Sequence, residues 1–311
     1  MNFESDNLYE NSNLDTKNIL ILAGINQEIV ELVMERLKKP LTLVHLSDEL
    51  LLDKKSLYSI SELILRPYFY LNRVKDCFFI PVGFQNGFLN ETNKIKDLEK
   101  REYTWSFFGQ QYGDRKIMIN ELSNHKNHYI YSVDSFMSEE GASPYEMIKI
   151  YEDTIFTPCP YGIVNPDTFR ILEVLEQGCI PIVKKFVFVD YYKYIYGEHP
   201  FIVVNNWNEA SEIISKYLSD PIALNKKFDE VRKWYLNYKI NLREDIQILI
   251  EKKDNNLTSE QFKLQNKARW DLSFIFSYLY WFKFKRTKVG YSFSNNFYKF
   301  KQNIKKKINN E

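Results

Sequence analysis

The sequence predicts an α/β protein with two Rossmann-like domains that face each other across a cleft, followed by a C-terminal helical tail. Three observations support this prediction. Apolar strand-like runs alternate with amphipathic helices in two series, a polar stretch at 90–102 separates the series, and the composition becomes aromatic and basic towards the C-terminus. We therefore expect a disordered N-terminus at 1–16, domains at 17–98 and 99–245, and the tail at 246–311.

The first series of elements predicts a small domain. NILILAG at 18–24 is typical of a buried strand, and a helix pattern at 27–38 and a strand pattern at 41–46 follow it. Two further apolar runs, at 61–69 and 76–84, are strand candidates. Because strands alternate here with helical patterns, the domain is predicted to be a parallel α/β unit.

The second series repeats this alternation and predicts a doubly wound unit. Its helix at 143–153 carries two start signals, Ser143 as the N-cap and Pro144 at the first helical position. The other predicted elements are strands at 103–110, 128–133, 154–160, 179–183 and 201–206 and helices at 114–122 and 207–220. Two such halves joined by a linker predict a ligand site in the cleft between them.

Cysteine content and hydropathy limit the cellular location. Cys77, Cys159 and Cys179 have no metal-ligand spacing, which predicts a reduced intracellular protein. The N-terminus lacks the basic and apolar regions of a signal peptide. No apolar run reaches the ~18–20 residues that a membrane span requires. We therefore expect a cytoplasmic protein.

Charge is distributed unevenly along the chain. The formal net charge is +1, yet nine Lys and Arg residues lie between Lys283 and Lys307 with no acidic residue among them, and residues 1–271 hold 33 basic and 40 acidic side chains. With the aromatic run LSFIFSYLYWFKFKR at 272–286, this pattern predicts contact with an anionic membrane surface. The alternative is a helix that packs its aromatic side chains on the first domain. Nucleic-acid binding is disfavoured because no motif for it is present.

The stretch NPDTFRILEVLEQGCIPIV at 165–183 combines a helix pattern with charged side chains. Asn165 can cap a helix that has Pro166 at its first position, and Gly178 ends the helix before an apolar strand. A helix N-terminus favours phosphate, Arg170 can add a bidentate contact, and Glu173, about one turn deeper, can accept hydrogen bonds from a ribose diol. The alternative is a surface ion pair between Arg170 and Glu173.

The segment FTPCPYGIVNPDTFRILEVLEQGCIPIV at 156–183 resembles the signature of exostosin-like GT-B glycosyltransferases. The matching positions are Asp167, Thr168, Arg170, Glu173, Leu175, Gly178, Cys179, Ile180, Pro181 and Val183. FFGQQYGDRKIMINEL at 107–122 is similar to the first strand, glycine loop and Arg-bearing helix of the nucleotide-sugar domain. The resemblance implies a GT-B fold and transfer of a sugar, with inversion, from a nucleoside diphosphate sugar, a UDP-sugar being favoured, to a hydroxyl of a glycan or lipid-linked acceptor.

The resemblance and the positions of strand ends together predict the donor site. Gly109 and Arg115 would face the diphosphate, while Tyr131 and Asp134, with Phe108, would border the nucleobase. The predicted donor-binding residues are Gly109, Arg115, Tyr131, Asp134, Asn165, Asp167, Thr168, Arg170 and Glu173. Because the sequence has no Asp-x-Asp, we expect no metal or other cofactor, and the arginines and helix N-termini would neutralise the leaving diphosphate.

Inversion requires a base that takes the proton of the acceptor hydroxyl. Asp48 and Glu49 follow the second strand, His45 lies within it, and Asp134 follows a strand of the second domain. Asp48, with Glu49, is our predicted base, and Arg170 is the predicted stabiliser of the leaving group. Two alternatives stay open at this point: a fucosyltransferase of the same architecture that uses GDP-fucose, and a non-catalytic nucleotide- or glycan-binding module.

Overall fold

The structure is a computed structural model that describes residues 18–36, 41–46, 49, 53, 56–68, 77–85, 87–90, 94–133, 141–162, 165–187 and 189–251. The predicted disordered N-terminus, the aromatic and basic segment at 272–307, Asp48 and Asp134 lie outside the described residues. The described chain divides into two compact units. The first contains the residues up to Val82 and those from Asp245 onward, and the second runs from Gly83 to Glu244.

The first unit contains a four-stranded parallel sheet in the order β1-β2-β3-β4. Its elements are β1 (Asn18–Leu22), α1 (Gln27–Arg36), β2 (Leu41–His45), a 3-10 helix (Ser56–Ser59), β3 (Ser61–Arg66) and β4 (Cys77–Phe79). Leu41, Leu43 and Ile64 from the sheet pack with Val30 of α1 and Leu57 of the 3-10 helix. Each such aliphatic side chain contributes about 1.5–3 kcal/mol when it is removed from water, so this apolar layer fixes α1 on the sheet.

The second unit contains a five-stranded parallel sheet in the order β6-β5-β7-β8-β9. Its strands are β5 (Tyr103–Phe108), β6 (His128–Tyr131), β7 (Thr154–Cys159), β8 (Ile180–Lys184) and β9 (Ile202–Val204). Its helices are α2 (Asp114–Leu122), α3 (Pro144–Glu152), α4 (Phe169–Glu176), α5 (Lys193–Tyr196), α6 (Trp207–Leu218) and α7 (Pro221–Glu251), the last of which passes into the first unit at Asp245. In this order the chain reverses its direction of winding beside β5, which makes the β5–β7 edge a topological switch point.

Helix α3 shows how local sequence determines an element. Ser143 is its N-cap: the Ser143 hydroxyl accepts a hydrogen bond from the Glu146 backbone N–H, and the Glu146 carboxylate accepts one from the Ser143 backbone N–H. Pro144 occupies the first helical position. This capping box satisfies two N–H groups that the helix leaves unpaired, and it confirms the start that the sequence predicts.

Helix α4 begins later than the sequence predicts. Asn165 is not its cap and Pro166 is not its first residue, because the helix starts at Phe169 with Thr168 as the N-cap. Four apolar side chains of α4 are buried, namely Ile171, Leu172, Val174 and Leu175. After Gln177 the backbone turns at Gly178 with φ of 72°, a left-handed conformation that favours glycine and ends the helix as predicted.

Two parallel sheets with flanking helices confirm the predicted α/β class with two Rossmann-like domains. Within the described part of the chain, no helix combines the length and the apolar character needed to cross a membrane.

Candidate functional site

The candidate site lies at the carboxyl ends of β5 and β7, where parallel α/β sheets place their ligands. Gly109 follows β5 and Tyr161 follows β7 shortly after Cys159. Helices α2 and α4 both begin at this edge of the sheet, so their N–H groups point towards it. Neither helix has a side-chain cap: Gly113 precedes α2, and Thr168 makes no capping hydrogen bond to α4.

Gly109 allows two guanidinium groups to approach one point. Its φ is 135°, and its N–H donates to the Tyr131 carbonyl at 3.0 Å. A Cβ at this position would lie 3.1 Å from Arg170 Nη2 and 3.5 Å from Arg115 Nη1. A side chain here would therefore be strained and would displace an arginine, which explains physically why glycine stands between the strand and the two cations.

Arg170, the second residue of α4, is only partly satisfied by the protein. Its Nη2 donates to the Phe108 carbonyl, and its guanidinium lies over the Phe107 ring with 4.7 Å to the centroid. Its Nε is buried and has no hydrogen-bond partner among the described residues. A buried donor of this kind costs about 1–3 kcal/mol when it stays unpaired, so the cation is poised to bind an acceptor-rich ligand.

Arg115, the second residue of α2, supplies the other positive charge. Its Nη2 donates to the Tyr161 carbonyl at 3.0 Å, and its Nη1 lies 3.4 Å from the Gln110 carbonyl. Its guanidinium stacks over the Tyr112 ring at 4.4 Å from the centroid. These contacts orient the Arg115 guanidinium. Because two like charges held at one point repel each other, an anion bound between them would be stabilised by both.

Glu173 lies one turn deeper in α4 than Arg170 and is 3% exposed. Burial raises the pKa of the Glu173 carboxyl to about 7, against the opposing effects of the Arg170 charge and a backbone hydrogen bond from Gln85. Its Oε1 has no hydrogen-bond partner among the described residues. The carboxyl can therefore exchange a proton near neutral pH and can hydrogen-bond a hydroxyl group in either protonation state.

Three more predicted residues shape the loop ahead of α4. Asp167 is buried and accepts a hydrogen bond from Tyr196 Oη at 2.9 Å, while Tyr192 Oη donates to the Pro166 carbonyl at 3.2 Å. Asn165 is buried as well. Thr168 has a buried Oγ1 without a hydrogen-bond partner in the described structure. Thr168 is thus the N-cap of the helix that carries Arg170 and Glu173, whereas Asp167 is hydrogen-bonded to Tyr196 of α5.

Tyr131 is half-buried at the end of β6, the strand that pairs with β5 on the side away from β7. Its ring stacks on Phe108 with centroids 5.8 Å apart and planes inclined by 30°. Phe108 also contacts Tyr129 and Tyr151. The structure therefore brings Tyr131 close to the glycine turn while it uses Phe108 as a core residue.

A third cation at this edge was not predicted from the sequence. Lys184 ends β8, and its Nζ lies 2.7 Å from Asp114 Oδ1 at the start of α2. The indole N–H of Trp207 donates to Asp114 Oδ2 at 2.9 Å, and Lys184 Nζ lies 5.3 Å from the centroid of the Tyr161 ring. In the sequence, Lys184 could have been singled out by its position directly after the predicted strand at 179–183.

The predicted base residues belong to the first unit. His45 is the last residue of β2 and is buried, and Glu49 is half-buried in the segment that follows. A carboxylate that the sequence analysis missed, Asp53, contacts His45: its Oδ2 lies 3.1 Å from His45 Nε2. Asp53 carries no local pattern that distinguishes it from other loop acids, so only the contact reveals it.

Comparison with known proteins gives two matches. The model of the family described as RXYLT1 C-terminal domain matches residues 85–253, more than half of the chain. No curated protein sequence matches this chain. Among solved structures, that of Anabaena HepE in complex with UDP and glucose is similar with a TM-score of 0.43 and 8% sequence identity, over 69% of this chain and 72% of that one.

Proposed function

This chain belongs to the family of the RXYLT1 C-terminal domain, and from that premise we propose that it transfers a sugar, with inversion, from a nucleoside diphosphate sugar to a hydroxyl group. The membership confirms the resemblance to exostosin-like glycosyltransferases. It makes the chain a member of a glycosyltransferase family. The donor, the stereochemistry and the acceptor below are our proposals.

One observation carries the donor proposal: the guanidinium groups of Arg115 and Arg170 converge at Gly109 beside two helix N-termini. The two guanidinium groups and the helix N–H groups are positive and donate hydrogen bonds. A diphosphate supplies the negative charge and the oxygen acceptors that pair with them. As the bond to the anomeric carbon breaks, negative charge grows on the leaving diphosphate. Fixed cations stabilise that charge more than they stabilise the bound donor, which lowers the barrier.

We propose that Glu173 and Tyr131 hold the nucleoside of the donor. The orphaned Oε1 of Glu173 would accept a hydrogen bond from a ribose hydroxyl, which would satisfy a buried polar atom. Tyr131 would border the base, with Asp134 in the segment beyond it. Asn165 and Asp167 would act by holding the loop that brings Thr168 and Arg170 to the sheet edge.

We further propose a UDP-sugar as the donor, a glycan or lipid-linked glycan as the acceptor, and a reaction without a metal ion. The absence of an Asp-x-Asp motif in the sequence supports the last point, and turnover that survives excess EDTA would test it. We propose Asp48 or Glu49 as the base and anionic lipid as a partner of the segment at 272–307. Sedimentation with vesicles that contain phosphatidylserine, before and after removal of 272–311, tests the lipid contact.

Calorimetric titration with UDP, GDP and CDP tests the donor site. We expect one nucleoside diphosphate to bind, and Arg170→Ala to weaken its binding about 10- to 100-fold, since charge-assisted hydrogen bonds contribute about 1.5–3 kcal/mol. Lys126→Ala is the matched control, because Lys126 is an exposed cation beyond the far end of α2. Equal nucleotide affinity in wild type and Arg170→Ala contradicts the proposed site.

Slow hydrolysis of the bound donor distinguishes an enzyme from a binding module. With UDP-glucose, UDP-galactose, UDP-xylose and GDP-fucose as a panel, a transferase releases the nucleoside diphosphate even when water is the only acceptor. A protein that binds the nucleotide sugar and leaves it intact over days is a binding module.

A further inference from the structure

A buried carboxylate lies directly ahead of helix α4, beside the proposed anion site. Asp167 is 1% exposed, is separated from the first residue of α4 only by the N-cap Thr168, and precedes Arg170 by three residues. A negative charge so close to a cation site is a competitor for that site, because the same guanidinium and helix N–H groups would bind it. The site can bind an external anion only if this carboxylate is held elsewhere.

The hydroxyl of Tyr196 holds the Asp167 carboxylate. Tyr196 is the last residue of α5, and its Oη donates to Asp167 Oδ1 at 2.9 Å. Burial and, after it, the charge of Asp167 raise the pKa of the Tyr196 hydroxyl well above its usual value. The hydroxyl therefore stays protonated and remains a donor at neutral pH. A hydrogen bond to an ionised acceptor is roughly twice as strong as one between neutral groups, so this contact fixes the carboxylate.

Aromatic packing fixes the Tyr196 ring in turn. Its centroid lies 5.5 Å from that of Phe201 and 5.5 Å from that of Tyr238 in α7, and Trp234 of α7 contacts it at 6.4 Å. Tyr196 is itself 3% exposed. Because a buried ring in such surroundings has little freedom to move, its hydroxyl is a stationary anchor for the carboxylate.

The start of α4 offers donors that a released carboxylate would find. Arg170 Nη2 donates to the Phe108 carbonyl, but Arg170 Nε is buried without a hydrogen-bond partner among the described residues. Thr168 makes no side-chain capping bond to the helix. Burial raises the pKa of the Cys159 thiol, the Arg170 charge lowers it, and the Asp167 charge raises it. The guanidinium and the carboxylate thus act on the same buried group, which places both charges at this end of the helix.

We infer that Tyr196 is a positioning residue of the anion site, which holds the Asp167 carboxylate away from Arg170 and so keeps the site open for the diphosphate. This inference rests on the proposed function and names what keeps the proposed site available. Without the Tyr196 hydroxyl, the buried carboxylate loses a donor and turns to the nearest unpaired one, since an unpaired buried charge is costly. Asp167 then becomes an internal inhibitor of nucleotide binding.

Calorimetric titration of the full chain with UDP, and with inorganic pyrophosphate as a probe without a nucleoside, tests the inference. Apparent affinity falls in proportion to the fraction of molecules whose site is open, so Tyr196→Phe should weaken both ligands about tenfold if Asp167 fills the site about nine-tenths of the time. Adding Asp167→Asn to this variant removes the internal anion, and affinity should recover to within about threefold of wild type. A lost structural contact would not be repaired by a second loss.

Tyr235→Phe is the matched control. Tyr235 Oη donates to Glu176 Oε1 at 2.6 Å, so this variant also takes a buried hydroxyl from a buried carboxylate, here that of the last residue of α4. Arg170 lies at the opposite end of the helix. We expect Tyr235→Phe to lower the urea midpoint about as much as Tyr196→Phe does, and to bind UDP and pyrophosphate as the wild type does.

Each outcome decides the inference. Wild-type affinity in Tyr196→Phe overturns it, and so does a loss of affinity that Asp167→Asn leaves unrepaired. Both results leave the proposed function intact, because Arg170→Ala tests the donor site separately. A wild-type protein that binds pyrophosphate but no nucleoside diphosphate overturns the proposed function alone, and the rescue is then measured with pyrophosphate. One that binds neither overturns both. Weak binding in Tyr196→Phe with recovery in the double variant supports the inference.

Discussion

Helix α4 carries two buried carboxylates, Glu173 and Glu176, and the two differ in their partners. Glu176 accepts hydrogen bonds from Tyr235 Oη at 2.6 Å and from Lys239 Nζ at 3.2 Å. Glu173, three residues earlier, has an oxygen with no partner in the described structure. Since folding alone favours complete pairing of buried polar groups, the comparison separates a carboxylate that holds the structure from one that is left for a ligand.

The two glycines near the ends of α4 show the same contrast. Gly178 lies beyond its C-terminus, where a Cβ would come within 2.9 Å of Ile95 Cδ1 and 3.0 Å of Arg101 Nη2. Arg101 is itself buried and donates to the Gln177 carbonyl at 2.9 Å. Gly109 lies near the N-terminal half of α4, beside the partly satisfied Arg170. One end of the helix is thus closed by complementary contacts, and the other end is open to an anion.

The largest expected effect is on stability at the closed end. Glu176→Ala removes the acceptor that the Lys239 ammonium and the Tyr235 hydroxyl share, and breaking an ion pair with a buried carboxylate costs up to about 3–5 kcal/mol. Urea denaturation measures the loss, and Glu230→Ala, which removes an exposed acid from α7, is the control. Nucleotide affinity of the folded fraction should not change. If Glu176→Ala lost no more stability than Glu230→Ala, the proposed contrast between Glu176 and Glu173 would be wrong.

The Glu173 carboxyl makes the stability of the protein depend on pH. The pKa of Glu173 is about 7 in the folded protein, against about 4.3 for an unperturbed glutamate. The native state therefore holds a proton that the unfolded chain releases between these values. Stability should fall as pH rises from about 4.5 to about 7 and then level off, by up to about 3–4 kcal/mol.

Glu173→Gln isolates this contribution because glutamine does not titrate. Urea midpoints of wild type and Glu173→Gln at pH 5, 6, 7 and 8 should differ in slope, with the wild type losing more stability on the way to pH 7. Equal slopes would falsify the assignment of this titration to Glu173. Nucleotide affinity should also fall in the variant if the carboxylate accepts the ribose hydroxyl.

The glycine pair gives intermediate effects that differ in kind. Alanine at Gly109 or Gly178 places a Cβ on a backbone with positive φ, and each should cost about 1–2 kcal/mol of stability. Only Gly109→Ala should also weaken nucleotide binding, by about tenfold, since it displaces Arg170. If Gly178→Ala weakened binding equally, the contrast between the two ends would be lost.

The smallest effect is expected at Lys184. Its ion pair with Asp114 is partly exposed, with 20% and 32% of the two side chains accessible, and such pairs contribute about 0–1 kcal/mol. Lys184→Ala should therefore leave the urea midpoint nearly unchanged. Nucleotide affinity should fall by about twofold, far less than in Arg170→Ala. A loss as large as that of Arg170→Ala would make Lys184 part of the anion site.

Local sequence was sufficient to predict several elements. The helix predicted at 114–122 is α2, and the strand predicted at 154–160 is β7 with one residue fewer. The start of α3 followed from Ser143 and Pro144, because capping depends on residues within one turn. The start of α4 did not follow from Asn165 and Pro166, because Tyr192 and Tyr196, from a distant segment, bind residues 166–167 and hold them outside the helix.

The sequence by itself determined the α/β class, most element positions and the set of charged residues from which the candidate site is built, since these depend on periodicity and on signals a few residues apart. Only the tertiary structure decided the partners of those residues. Glu173 and Glu176 lie three residues apart on one helix. Tyr235 and Lys239 of α7 donate hydrogen bonds to Glu176, whereas one oxygen of Glu173 has no partner in the described structure. The contact between Asp53 and His45 also became visible only in the structure. Burial and pairing depend on chain segments far apart in sequence, and no local pattern encodes them.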